Sequence, residues 1–88
     1  MAQKKLLVKI NGFSCFPDLL PGKIYLAKKI KKPKKGDFLI FKHKKDLLVK
    51  KIKKITKKYI ILEDSFKNIY TIKNNKKVFL KLNPDAIQ

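Results

Sequence analysis

Ser14 and Lys50 are the two residues whose types and surroundings could carry out a reaction, the first as a nucleophile and the second as its base. Ser14 stands in Asn11-Gly12-Phe13-Ser14-Cys15-Phe16-Pro17-Asp18-Leu19-Leu20-Pro21-Gly22, which follows the apolar run from Leu6 to Ile10. Glycine adopts backbone conformations that other residues resist, and proline fixes its own dihedral. The chain therefore turns here and presents the serine instead of burying it within a strand. A serine hydroxyl is a weak nucleophile near neutral pH and needs a base within hydrogen-bond reach. The single histidine, His43, lies in a polar turn among Lys42, Lys44 and Lys45, a setting that suits an exposed side chain without a catalytic role. Cys15 has no histidine beside it and is the poorer nucleophile candidate.

A lysine can act as the base where burial leaves its amine neutral. In Leu47-Leu48-Val49-Lys50-Lys51-Ile52, strand alternation places Lys50 on the face of Leu48 and Ile52, and Lys51 on the face of Val49 and Lys53. Lys50 is the lysine with apolar company on both sides, as long as no bulge breaks the parity before it.

Both segments resemble the Ser/Lys-dyad peptidases, the group of signal peptidase I and the LexA-like self-cleaving repressors. In layout the chain is nearest to the short nickel superoxide dismutase maturation-type peptidases. Gly12, Ser14, Pro17, Leu19 and Gly22 fall in register on the family's Gly-x-Ser-Met-x-Pro-x-Leu-x-x-Gly-Asp segment, with Cys15 in place of the methionine and Lys23 in place of the aspartate. Leu48-Val49-Lys50-Lys51-Ile52 is similar to the family's apolar-Val-Lys-Arg-apolar segment, and Gly36-Asp37 matches its second Gly-Asp. Lys50 follows Ser14 by 36 residues, an interval that suits the compact members.

The resemblance implies a serine endopeptidase for limited proteolysis of protein substrates, of the maturation or signal-peptide type. Ser14 would be the nucleophile and Lys50 the general base, with no cofactor or metal. The backbone N–H groups of Ser14 and Phe13 would hold the oxyanion. Substrate would lie extended along a strand edge, lined by Cys15, Phe16 and residues of the first strand. Toward the C-terminus the family's Ser-x-Asp-Ser-Arg segment shrinks to the Asp64-Ser65 pair. Leu62 stands where a serine would orient the lysine, and Phe66 where an arginine would pair the aspartate; Lys67, one position later, is the candidate for the arginine's role.

The elements that must position these residues are short. Leu6–Ile10, Lys23–Lys29, Asp37–Lys42, Leu47–Ile55, Tyr59–Leu62, Ile69–Ile72 and Lys77–Leu82 read as strands, with one helical turn around Pro17 to Leu20. Lys50 to Thr56 also has a helix-like period near three, but its β-branched content favours a strand. The expectation is an all-β fold: a small LexA/signal-peptidase-like twisted β-sheet domain of short, mainly antiparallel strands. Eighty-eight residues make one such domain, and an apolar content of 44% is enough to fold it.

The charge is less ordinary. All 24 cationic side chains are lysines against 6 acidic ones, a net +18. Such a field attracts anionic partners, nucleic acid or an anionic membrane surface. The lack of arginine weighs against nucleic acid, since bidentate contacts are what arginine does best. A second reading is thus a catalytically degenerate basic module, with Tyr25, Phe38, Phe41, Tyr59 and Tyr70 as stacking candidates. One cysteine excludes an intrachain disulfide and, with one histidine, any zinc set of the usual type. No apolar run approaches the ~20 residues of a membrane span and no signal peptide is visible, so the expected place is the cytoplasm or its membrane surface.

Overall fold

The computed structural model describes residues 6–12 and 15–85. Within them the chain is all-β: β1 (Leu6–Lys9), β2 (Ile24–Ile30), β3 (Phe38–His43), β4 (Asp46–Ile55), β5 (Tyr59–Glu63), β6 (Ile69–Lys73) and β7 (Phe79–Leu82). They form one sheet in the order β1-β2-β7-β3-β4-β5-β6, with every neighbouring pair antiparallel. Strands β3 to β6 follow each other as hairpins, whereas β7 returns to lie between β2 and β3. No helix among the described residues is long and apolar enough to cross a membrane.

Both faces of the sheet carry a core, and β3 shows why. Its residues alternate between the two, with Phe38 and Ile40 in the first and Leu39 and Phe41 in the second, as a period of two requires. Tyr25, Ala27, Phe38 and Leu82 build the first core and are roofed by Ile10, Cys15 and Leu19 from the segment between β1 and β2. The second gathers Leu39, Phe41, Ile52, Ile60, Leu62 and Phe79, with Tyr70 and Ile72 packed against it.

The roofing segment is closed at its neck, where Ile10 N–H donates to Lys23 O and Gly22 N–H donates to Ile10 O. Gly12 and Gly22, at φ of +84° and +80°, turn the chain into and out of it, a backbone region that costs a side-chain-bearing residue strain. The helical turn expected at Pro17–Leu20 is a single turn begun two residues earlier, closed by Leu19 N–H on Cys15 O at 2.8 Å. Leu19 is fully buried, and the Tyr25 hydroxyl accepts the N–H of Leu20 at 2.7 Å, so this side of the segment is pinned to the first core.

Candidate active site

Lys50 sits in β4 opposite Leu39 of β3, on the face that builds the second core. The strand parity that places it there is intact, because the irregularity in the β4–β5 pairing comes later, between Ile52 and Lys54. Lys50 is buried at 4% exposure, while its neighbours Lys51 and Lys53 are exposed. Its Nζ lies 3.5 Å from a carboxylate oxygen of Asp64 and 5.1 Å from the centre of the Tyr70 ring.

Asp64 directly follows β5 and opens the turn into β6. Its carboxylate accepts the N–H of Phe66 at 2.9 Å, the N–H of Asn68 at 3.0 Å and the side-chain amide of Asn68 at 3.1 Å. Burial alone would push this carboxyl up. The Asn68 and Phe66 hydrogen bonds, joined by the Lys50 charge, outweigh it and hold Asp64 below its ordinary value. Lys67, the candidate for the arginine's role, does not take it; the groups on the Asp64 carboxylate are Lys50, Asn68 and Phe66 N–H. Lys67 turns the backbone at a φ of 69° instead. Asp64 is the residue that sequence reasoning underused, and the surviving Asp-Ser pair was the available signal.

Ser14 and Phe13, the expected nucleophile and oxyanion residues, lie outside the described residues. The residues that follow them are held beside Lys50 by two contacts. Cys15 Sγ–H donates to Val49 O at 3.1 Å, one residue before Lys50, and Ser65 Oγ–H donates to Phe16 O, one residue after Asp64. The segment reaches β4 from the first core and Lys50 reaches out from the second. They converge where β4 has a strand neighbour on one side only, since its pairing with β5 begins at Lys51.

An open groove of about 240 Å³ runs along this place. It is lined by Leu6, Val8 and Lys9 of β1, Leu47 to Lys50 of β4 and Cys15, together with Ile40 of β3 and Leu80 of β7. The outermost strand β1 and the part of β4 that precedes its pairing with β5 thus line a common space. Of the expected substrate-lining residues, Cys15 lines this groove, whereas Phe16, about half exposed, stands outside its walls.

Comparison with known protein families, curated proteins and solved structures finds no match to this chain. The site is therefore read from its own residues. His43 is exposed at the β3–β4 turn and meets the Tyr70 ring edge-on, 5.5 Å between centres. Of the aromatic residues considered for stacking on bases, Tyr25, Phe38 and Phe41 are core, Tyr70 lies under Lys50, and Tyr59 is exposed.

Proposed function

We propose that this chain is a serine endopeptidase of the Ser/Lys-dyad type, performing limited proteolysis on extended protein segments, with Ser14 as nucleophile and Lys50 as base. The observation that carries the reading is the convergence on Lys50: a buried lysine whose two flanking contacts, Cys15 on Val49 and Ser65 on Phe16, hold the residues that follow Ser14.

Lys50 acts as a neutral amine, after its ammonium has given one proton to solvent: it accepts the hydroxyl proton of Ser14 as the serine oxygen attacks the substrate carbonyl, and then gives that proton to the departing amine nitrogen. This leaves an ester between Ser14 and the acyl half of the substrate. Water attacks the ester with Lys50 again taking the proton, which releases the acid and restores the serine. The backbone N–H groups of Ser14 and Phe13 would donate to the oxyanion of both steps. Asp64 acts through Lys50 as a positioning residue: its carboxylate is itself fixed by three donors and gives the amine one direction in which to point. The groove between β1 and β4 offers main-chain partners to a peptide that adds as a strand, and its Leu6, Val8, Leu47 and Leu48 side chains favour apolar residues.

Cleavage of apolar peptides by the wild type, with Ser14→Ala and Lys50→Ala each inactive yet folded by circular dichroism, is the expected result. Retained activity in Ser14→Ala would sink the proposal. The second reading is a basic module without catalysis, favoured by the net charge of +18. It calls for binding to an anionic surface that weakens steeply with salt, together with no proteolysis by the wild type.

A further inference from the structure

A second cavity beside the apolar groove has a volume of about 310 Å³. Cys15 lines both. Strand β4 also runs through both, with Leu47 to Lys50 in the first and Lys51 to Lys53 in the second. A peptide paired with the free edge of β4 at Leu47 to Lys50 meets β5 at Lys51 and there leaves that edge for the face that carries the second cavity, beside the residue that follows Ser14.

The two spaces differ in chemistry. The second has a floor made by a cross-strand row, Phe38 opposite Lys51 opposite Glu63, with the Lys51 ammonium 5.8 Å from the centre of the Phe38 ring. Asp18, from the segment that carries Cys15, reaches Lys51 at 3.4 Å, and Lys53 reaches Glu63 at 3.3 Å. Asp64, also in the lining, is taken by Lys50. Lys35 completes the lining from the turn before β3 and has no ion pair among the described residues. The Asp18–Lys51 pair is half exposed on both sides, the kind of contact a competing carboxylate displaces at little cost.

We infer that this cavity is a specificity subsite for an acidic side chain of the substrate, held by Lys35 and Lys51, so that the preferred cleavage point joins an apolar stretch to an acidic residue. The inference rests on the peptidase reading for its catalytic consequence but not for binding. Pairing by two ammonium groups gives charge-assisted hydrogen bonds, stronger than neutral ones. The ring of Phe38 beside the Lys51 ammonium lowers the local polarity and sharpens the discrimination.

The test uses the full chain and fluorescent apolar decapeptides that carry Glu, Gln or Lys at each position in turn. For cleavage, kcat/KM should favour Glu over Gln by about tenfold at one position next to the scissile bond, consistent with a charge-assisted bond. Lys35→Glu should abolish or reverse that preference. Lys73→Glu, on β6 and outside both cavities, makes the same change in net charge and should leave the preference in place. For binding, Ser14→Ala is titrated with the same fluorescent peptides, with and without Lys35→Glu. Cleavage without charge preference, or equal effects of Lys35→Glu and Lys73→Glu, would overturn the subsite and leave the peptidase reading standing. Selective binding of the Glu peptide, lost in Lys35→Glu, with no cleavage by the wild type, would support the subsite and defeat the peptidase reading.

Discussion

Removing the carboxylate of Asp64 should destabilise the domain more than removing the lysine it holds, although both residues belong to one ion pair. The pair is buried, with side-chain exposures of 6% for Lys50 and 2% for Asp64. In Asp64→Ala the Lys50 nitrogen keeps the Tyr70 ring, 5.1 Å from its centre, and loses its anionic partner. Breaking a buried pair from one side costs about 3–5 kcal/mol. In Lys50→Met the Asp64 carboxylate still accepts from Phe66 N–H and twice from Asn68, and a linear apolar chain fills the space beside Leu48 and Ile52. The loss then falls to about 1.5–3 kcal/mol, the worth of one hydrogen bond to a charged group. Against a total of about 5–15 kcal/mol for a small domain, the first change is severe and the second is tolerable. Urea unfolding with linear extrapolation reads both, and equal slopes would show that the unfolded states are comparable. A loss in Asp64→Ala below about 1 kcal/mol, the size of an exposed pair, or a larger loss in Lys50→Met than in Asp64→Ala, would refute this reasoning.

Acid should expose the same carboxylate. Asp64 is held below its ordinary 3.8, so the native state binds its proton less readily than the unfolded chain. Its contribution is present above the ordinary value and is lost as pH falls through the lower native one. Thermal melts over a pH series should show the gap between wild type and Asp64→Asn narrowing through that window; a gap that widens toward acid would contradict the sign. Leu19→Ala should cost about 2–5 kcal/mol, because this side chain is fully buried where the segment with Ser14 meets the first core. Its catalytic loss should exceed the fraction unfolded, measured by near-ultraviolet circular dichroism beside activity, and activity that tracks folding alone would argue against the segment as the site's carrier.

All seven strands were legible in the sequence, because apolar residues alternate within short runs that are separated by glycine, proline or asparagine or by short polar breaks such as Lys44-Lys45 and Thr56-Lys57-Lys58. The parity that singled out Lys50 was legible for the same reason, and it holds since the bulge falls after Ile52. Tyr25 and Ala27 share a buried face while Ile24 and Leu26 are half buried, as alternation in β2 required. The placing of β7 between β2 and β3 was not legible, because it depends on pairing between residues some forty to fifty-five positions apart, which local pattern does not encode. The partner of Asp64 was missed for a similar reason. Sequence proximity pointed to Lys67, whereas the β4–β5 hairpin brings Lys50 to the end of β5. The ionic cavity beside Cys15 was equally out of reach, since its lining comes from four separate stretches of chain.

The central claim is that Ser14 and Lys50 act as one catalytic unit. Its most direct test is labelling by a serine-directed acylating probe of the kind that traps Ser/Lys peptidases, applied to wild type, Ser14→Ala and Lys50→Ala, with folding checked for each. The account calls for covalent labelling of the wild type at Ser14 and none of either variant; labelling that persists in Ser14→Ala, or a wild type that takes no label, would contradict it.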